Sequence, residues 1–283
     1  MVYQHHASFC VQALFVLESE EPDEPTGKNG RCIMKRLVLA FTAVLFFALM
    51  FSSCKKDETK NYKKEYPSTA IVLYNAVTDI EGNQYDAVQI GNQVWMAENL
   101  RSTKYPDGST IPMGSSYSYT EPYLYVPGNN GSIKKNMPNV PYYGYLYNWQ
   151  AVMHGANSSE TGNVQGICPN GWHVPSDAEW RELTNNVNNS AKELASTWGW
   201  TSTDELDAPG NNQSTNNVTG FSAPPAGLNT GINNLFLGSR ATFWSSTGNN
   251  NQAYDYYIYY LDSKVHSCEN SKCLAFSVRC VRD

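Results

Sequence analysis

Residues 168–183 read CPNGWHVPSDAEWREL and hold a cysteine, an aromatic approach and a helix start. Pro175 ends an extended run. Ser176 followed three positions later by Glu179 is a capping box, in which the Ser hydroxyl and the Glu carboxylate satisfy amide groups that a first helical turn leaves unpaired. Asp177 and Glu179 also suit the positive end of the helix dipole. Behind them Trp180, Leu183 and Val187 recur at spacings of three and four, the apolar stripe of a helix over 177–188 that must bury against something. The stretch is scaffold, with no chemical motif in it.

Downstream, SAKELAST at 190–197 repeats the Ser-x-x-Glu start and predicts a shorter helix. Upstream, GYLYNWQAVMH at 144–154 places Leu146, Trp149 and Met153 on one helical face and stops at Gly155, which predicts the first of two core helices. Farther upstream, QYDAVQIGNQVWM at 84–96 is two alternating runs around Gly91-Asn92, the composition of a two-residue hairpin turn. Residues 114–141 and 201–219 are rich in Ser, Gly and Asn and are expected to be loops. Short strands are expected at 241–246, 253–261 and 274–282. Strands first, helices next and strands last predict an α+β fold, with two main helices packed on short antiparallel strands and long loops.

Residues 1–70 read differently. The acidic ESEEPDEP at 18–25 is a poor beginning for an export signal, and residues 1–33 are expected to be translated upstream sequence that the mature protein lacks. Met-Lys-Arg at 34–36 followed by LVLAFTAVLFFALMF is a charged region and then an apolar run of about fifteen residues, short of the roughly twenty that span a membrane. Residues 34–53 are therefore expected to be a signal peptide. Phe51-Ser52-Ser53-Cys54 resembles a lipobox, which implies a lipoprotein acylated on Cys54 by chains such as palmitate. Lys55-Lys56-Asp57-Glu58 resembles the export tag of bacterial lipoproteins that face the cell exterior. Residues 55–69 carry eight charges and almost no aliphatic content, so 54–70 is expected to be the lipidated cysteine and a solvated tether, and 71–283 the folded domain. The implied localisation is the outer face of a bacterial outer membrane, with the membrane itself the first partner through Cys54.

Six segments occur in one order: QVWMAENL at 93–100, YLYNW at 145–149, GWHVPSDAEW at 171–180, GFSAPPAG at 220–227, FWSST at 243–247 and SVRCVRD at 277–283. Together they resemble the Fibrobacter succinogenes major paralogous domain over roughly 79–283, a family of bacterial surface and lipoprotein domains. More remotely, YLYNW, then WHVPSDAEW, then a terminal VRCV is similar to the C-type-lectin-like fold of the formylglycine-generating, sulfatase-modifying family. That second resemblance implies a C-type-lectin-like fold here.

Seven cysteines reduce to four in the mature domain once Cys10, Cys32 and the lipidated Cys54 are set aside. Four allow three connectivities in an oxidising compartment. Cys280 alternates in phase with Phe276 and Val278 and so faces the core, where Cys168 at the helix start could meet it. Cys268 and Cys273 flank the polar Glu-Asn-Ser-Lys, whose ends a hairpin would bring together. The expected pairs are Cys168–Cys280 and Cys268–Cys273. The formylglycine-generating family carries a redox-active pair five residues apart, as Cys268 and Cys273 are, but well upstream of its terminal strand; here the pair is read as structural.

Lys and Arg total 20 against 26 Asp and Glu, a net charge of −6, and no basic stripe follows the leader, which excludes a phosphate-tracking nucleic-acid surface. His154, His173 and His266 have no second ligand at metal spacing and are read as packed or capping residues. Asp204, Glu205, Asp207, Asn211 and Asn212 are read as a solvated loop and not a calcium site. No nucleophile-elbow, Walker or Rossmann pattern occurs, and the chain is read as non-enzymatic and without a cofactor; the alternatives are a divergent enzyme of the formylglycine-generating superfamily and an adhesin or structural surface subunit. Its aromatic excess invites a binding role. Tyr142 and Tyr145 belong to one tyrosine cluster, Tyr257 and Tyr259 to another, and in a strand the residues around 254–260 cannot all enter a small core. These four tyrosines are the candidate ligand contacts, for a glycan or an envelope protein, of a lipid-anchored surface binding or structural module.

Overall fold

A computed structural model describes residues 65–128, 139–158 and 163–283. The expectations for residues 1–64, including the signal peptide and acylation of Cys54, lie outside these.

The first sheet runs β1 (Ile71–Thr78), β2 (Gln84–Ile90) and β3 (Gln93–Met96), then β13 (Val281–Arg282) and β6 (Trp172–His173), every pairing antiparallel. The predicted hairpin is its centre, with Gly91 at φ 59° in the turn between β2 and β3. The positive φ selects glycine there. The second sheet has the order β11 (Val265–Ser271), β10 (Gln252–Tyr259), β9 (Arg240–Asn249). The third is built from short pieces in the order β4 (Leu124–Tyr125), β5 (Leu146–Asn148), β12 (Ala275–Phe276), β7 (Leu228–Asn229), β8 (Asn234–Leu235). The helices are α1 (Val140–Tyr143), α2 (Trp149–Met153), α3 (Asp177–Asn186) and α4 (Ala191–Leu194).

The expected α+β, C-type-lectin-like architecture with two main helices is therefore corrected. Among the described residues the fold is mostly β, 34% strand against 13% helix, in three antiparallel sheets, and α3 alone of their helices exceeds two turns. The first predicted helix fails at its start: Leu146–Asn148 pair with β4 on one side and β12 on the other, Tyr147 lying opposite both Leu124 and Phe276. Residues 145–149 are all buried, so helical spacing could not be told from a two-faced buried strand. What remains helical is α2, capped by the Asn148 side chain accepting from Ala151 N and ended by His154 in the left-handed region at φ 48°.

α3 forms as the capping box requires, and its apolar stripe enters a core shared by the first two sheets. Trp180 lies 4.8 Å from the Trp95 ring, 5.5 Å from Phe243 and stacked at 5.2 Å on Tyr256. Rings at such spacings interact beyond the area they bury. A second cluster joins Tyr85, Met96, Leu100 and Tyr147 to Trp244, Phe276 and the Cys168–Cys280 disulfide, whose Cα atoms are 5.9 Å apart.

Candidate functional site

Because the capping box fixes where α3 begins, Trp180 and Leu183 point inward while Asp177, Arg181, Glu182 and Asn185 line the outer side. With Thr247 of β9 and Tyr254 of β10 these residues border a groove of about 550 Å³. Its inner wall is organised around Asp177. One carboxylate oxygen accepts from Tyr256 Oη at 2.7 Å, the other pairs with Arg181 at 2.5 Å, and the Asp177 amide donates to Thr247 Oγ1 at 3.0 Å. Tyr254 at the far wall is hydrogen-bonded to Glu269, which together with burial raises its phenol pKa. The groove thus offers a guanidinium, carboxylates, an amide, a hydroxyl and one aromatic ring, donors and acceptors in the mixture that adjacent hydroxyl groups of a ligand can satisfy.

The four tyrosines singled out from sequence do not converge. Tyr145 is in the core, packed on Tyr147, and is no ligand contact. Tyr142 is half-buried, edge-on to Trp198 at 6.4 Å. Tyr257 and Tyr259 share a face of β10 as alternation requires, yet the Tyr257 ring is covered by the Arg240 guanidinium at 3.7 Å and stacked on His266 at 5.1 Å, while Tyr259 meets Tyr260 at 4.9 Å. Their faces are filled by the protein's own side chains. Tyr254, from the same run, is the one at the groove.

Of the two expected disulfides, Cys168–Cys280 is present. The Cys268–Cys273 pair is corrected: Cys273 is a free, buried thiol beside Ser271 Oγ at 3.1 Å. Residues 268–271 continue β11 instead of turning, Asn270 lying opposite Ala253. The chain turns only at 272–273, so Cys268 lies within the strand and not across a hairpin from Cys273.

Two charged features escaped the sequence reading. His173 is held between Asp283 and Glu179, each at 2.7 Å. Asp255 is fully buried on β10, with Arg240 at 3.7 Å and a bond from Asn270 Nδ2 at 2.7 Å. Asp255 Oδ1, Arg240 Nε and Thr242 Oγ1 find no hydrogen-bond partner among the described residues. Burial outweighs Arg240 and Asn270 and pushes the Asp255 carboxyl from 3.8 up to about 7. The folded state then keeps a proton that the unfolded chain releases, so stability is lost as pH rises from about 4 towards 7. Asp255→Asn is expected to flatten the urea midpoint against pH across that window, and an unchanged slope would assign it to another group. No group of three or more His, Cys, Asp or Glu among the described residues is placed to hold a metal ion.

Sheets of short antiparallel strands, a disulfide beside the last strand and a polar groove on one helix define a mostly β domain with a surface site. Residues 88–282 match the Fibrobacter succinogenes major domain, and the chain belongs to that family. No curated protein and no solved structure matches it. No helix among the described residues is long and apolar enough to cross a membrane.

Proposed function

We propose that this domain is a non-catalytic binding module, displayed at the bacterial surface by an acyl anchor on Cys54, that takes a saccharide in the groove beside α3. The observation that carries the reading is the groove itself, where Arg181, Glu182, Asn185 and Thr247 face one side of a volume bounded by the Tyr254 ring. Planar polar side chains bind vicinal hydroxyls in pairs, and an aromatic face covers the apolar side of a sugar ring. A folded domain with 11 basic and 18 acidic residues from Ile71 onward also suits a neutral or basic ligand better than an anionic polymer.

The test is a glycan array with the purified protein, followed by calorimetry on any hit. Tyr254→Ala and Arg181→Ala are each expected to weaken that binding about tenfold or more, with unchanged circular dichroism because both side chains are at the surface. Retention of full affinity in both variants, or capture of an envelope protein with no glycan bound, would remove the saccharide site. The anchor is tested separately by intact mass of the native protein and by the membrane fractionation of Cys54→Ser, which is expected to become soluble.

A further inference from the structure

His173 on β6 is almost fully buried, and both of its ring nitrogens contact carboxylates: Nδ1 is 2.7 Å from Asp283 Oδ1 and Nε2 is 2.7 Å from Glu179 Oε1. A neutral imidazole has one N–H and can donate to only one ionised carboxylate. The arrangement therefore requires the imidazolium, with both nitrogens donating. Glu179 does a second job with its other oxygen, which accepts from Ser176 N and Ser176 Oγ, each at 2.8 Å, to complete the capping box of α3. The same turn receives β9, where Ser246 N donates to Pro175 O at 2.8 Å. Asp283 is fixed in turn by its amide, which donates to Gly171 O at 3.2 Å.

We propose that His173 is a proton-operated clamp on the groove. As imidazolium it ties Asp283, just beyond β13, to the first turn of α3; without its second proton that turn is released, and with it the groove wall formed by Asp177 and Arg181. The regulatory consequence rests on the groove being the ligand site, whereas the clamp does not.

Among the described residues, the titratable groups that face His173 are Glu179 from α3 and Asp283 after β13. β3 reaches the same turn only through Gln93 Nε2 on Glu179 O, and the depression beside the ring adds the uncharged Asn163, Gln165 and Asn170. Arg282, next to Asp283 in sequence, is exposed and lies opposite Trp172 in the sheet. Burial alone lowers the His173 pKa, but its bonds to Glu179 and Asp283 outweigh burial and raise it. Glu179 shows the converse: burial raises it, and the bonds from His173 and Ser176 bring it below the ordinary carboxylate value. The clamp is thus complete below the ordinary histidine value of about 6.5 and is lost as pH rises through the raised one. At the acid end it persists until pH falls through the lowered value of Glu179.

Hydrogen exchange of the full protein across pH 5 to 9, corrected for intrinsic rates, tests this. Amides of the first turn of α3 are expected to lose roughly tenfold protection over the alkaline half of that range, the scale of a charge-assisted hydrogen bond. Amides of β5 and β12, in the third sheet, should hold theirs. In His173→Gln the pH step should vanish, and in Asp283→Asn, whose side chain is half exposed and replaceable without unfolding, it should move to lower pH. Ring nitrogen spectra at pH 6 should show both nitrogens protonated. A neutral tautomer at pH 6, or the same pH step in His173→Gln, would overturn the clamp even if a glycan binds the groove. A clean step with no glycan bound would leave the clamp standing and remove only the saccharide reading.

Discussion

Cys280→Ser is expected to lower the unfolding free energy by about 4–5 kcal/mol. The bond it removes joins residues 112 apart, so the reduced unfolded chain regains the freedom of a very long loop. The native state adds to the loss, because both sulfurs are fully buried and a serine hydroxyl would enter apolar surroundings beside the orphaned Cys168 thiol. The control is Cys273→Ser, which removes a free thiol and opens no loop; it is expected to cost about 1 kcal/mol or less. Urea denaturation of both variants without reductant decides the matter, and similar midpoints for the two would mean that Cys168–Cys280 is not the principal covalent constraint.

Arg279→Met is expected to cost about 3–5 kcal/mol. Arg279 is fully buried, and its guanidinium is spent on neutral acceptors. Nε donates to Asn99 Oδ1 at 2.8 Å, Nη1 to Met96 O at 3.2 Å and to Phe221 O, and Nη2 to Ser222 O at 2.9 Å. The Phe221 ring lies 4.4 Å away, close enough for a cation–π contact. Burial drags its pKa down to about 9, with Glu98 and Tyr66 acting in the opposite sense. Methionine fills the volume but orphans four acceptors at once, each of which wants a donor in the interior. Arg279→Lys should recover only a fraction of the loss, since a single ammonium cannot span acceptors that a planar fork reaches in three directions. A loss under about 1 kcal/mol for the methionine variant would mean that water replaces the guanidinium at no cost.

Features written in neighbouring residues were legible. Ser176 and Glu179 gave the start of α3, and Gly91-Asn92 the β2–β3 hairpin, because cap and turn chemistry act within four residues. Features decided by distant partners were not. Tyr147 is a strand residue because Leu124 and Phe276 pair with it, and β11 has the polar text VHSCENS because β10 supplies its hydrogen bonds. Alternation placed Cys280 inward correctly but implied that Arg279 faces out, whereas residues 274–281 are buried on both sides. The same limit applies to the site. Tyr257 and Tyr259 were candidate ligand contacts, but the side chain that fills the Tyr257 ring comes from Arg240, on another strand. His173 was read as a packed or capping residue; its partners are 6 and 110 positions away, and no local pattern announces the second.

The place of β13 has a consequence for the order in which the chain can mature. Val281 pairs with Trp95 on one side and His173 on the other, so the first sheet stays divided into an upstream hairpin and a stray β6 until residues 281–282 are available. Cys280 arrives with it, one residue earlier. A chain folding from its upstream side can form the β2–β3 hairpin and α3 early, but it holds them beside an unfilled slot. Such long-range closure is slow and leaves strand edges open to the wrong partners meanwhile. Removing residues 280–283 would therefore leave the domain in an assembly intermediate that lacks its central seam and its covalent lock together.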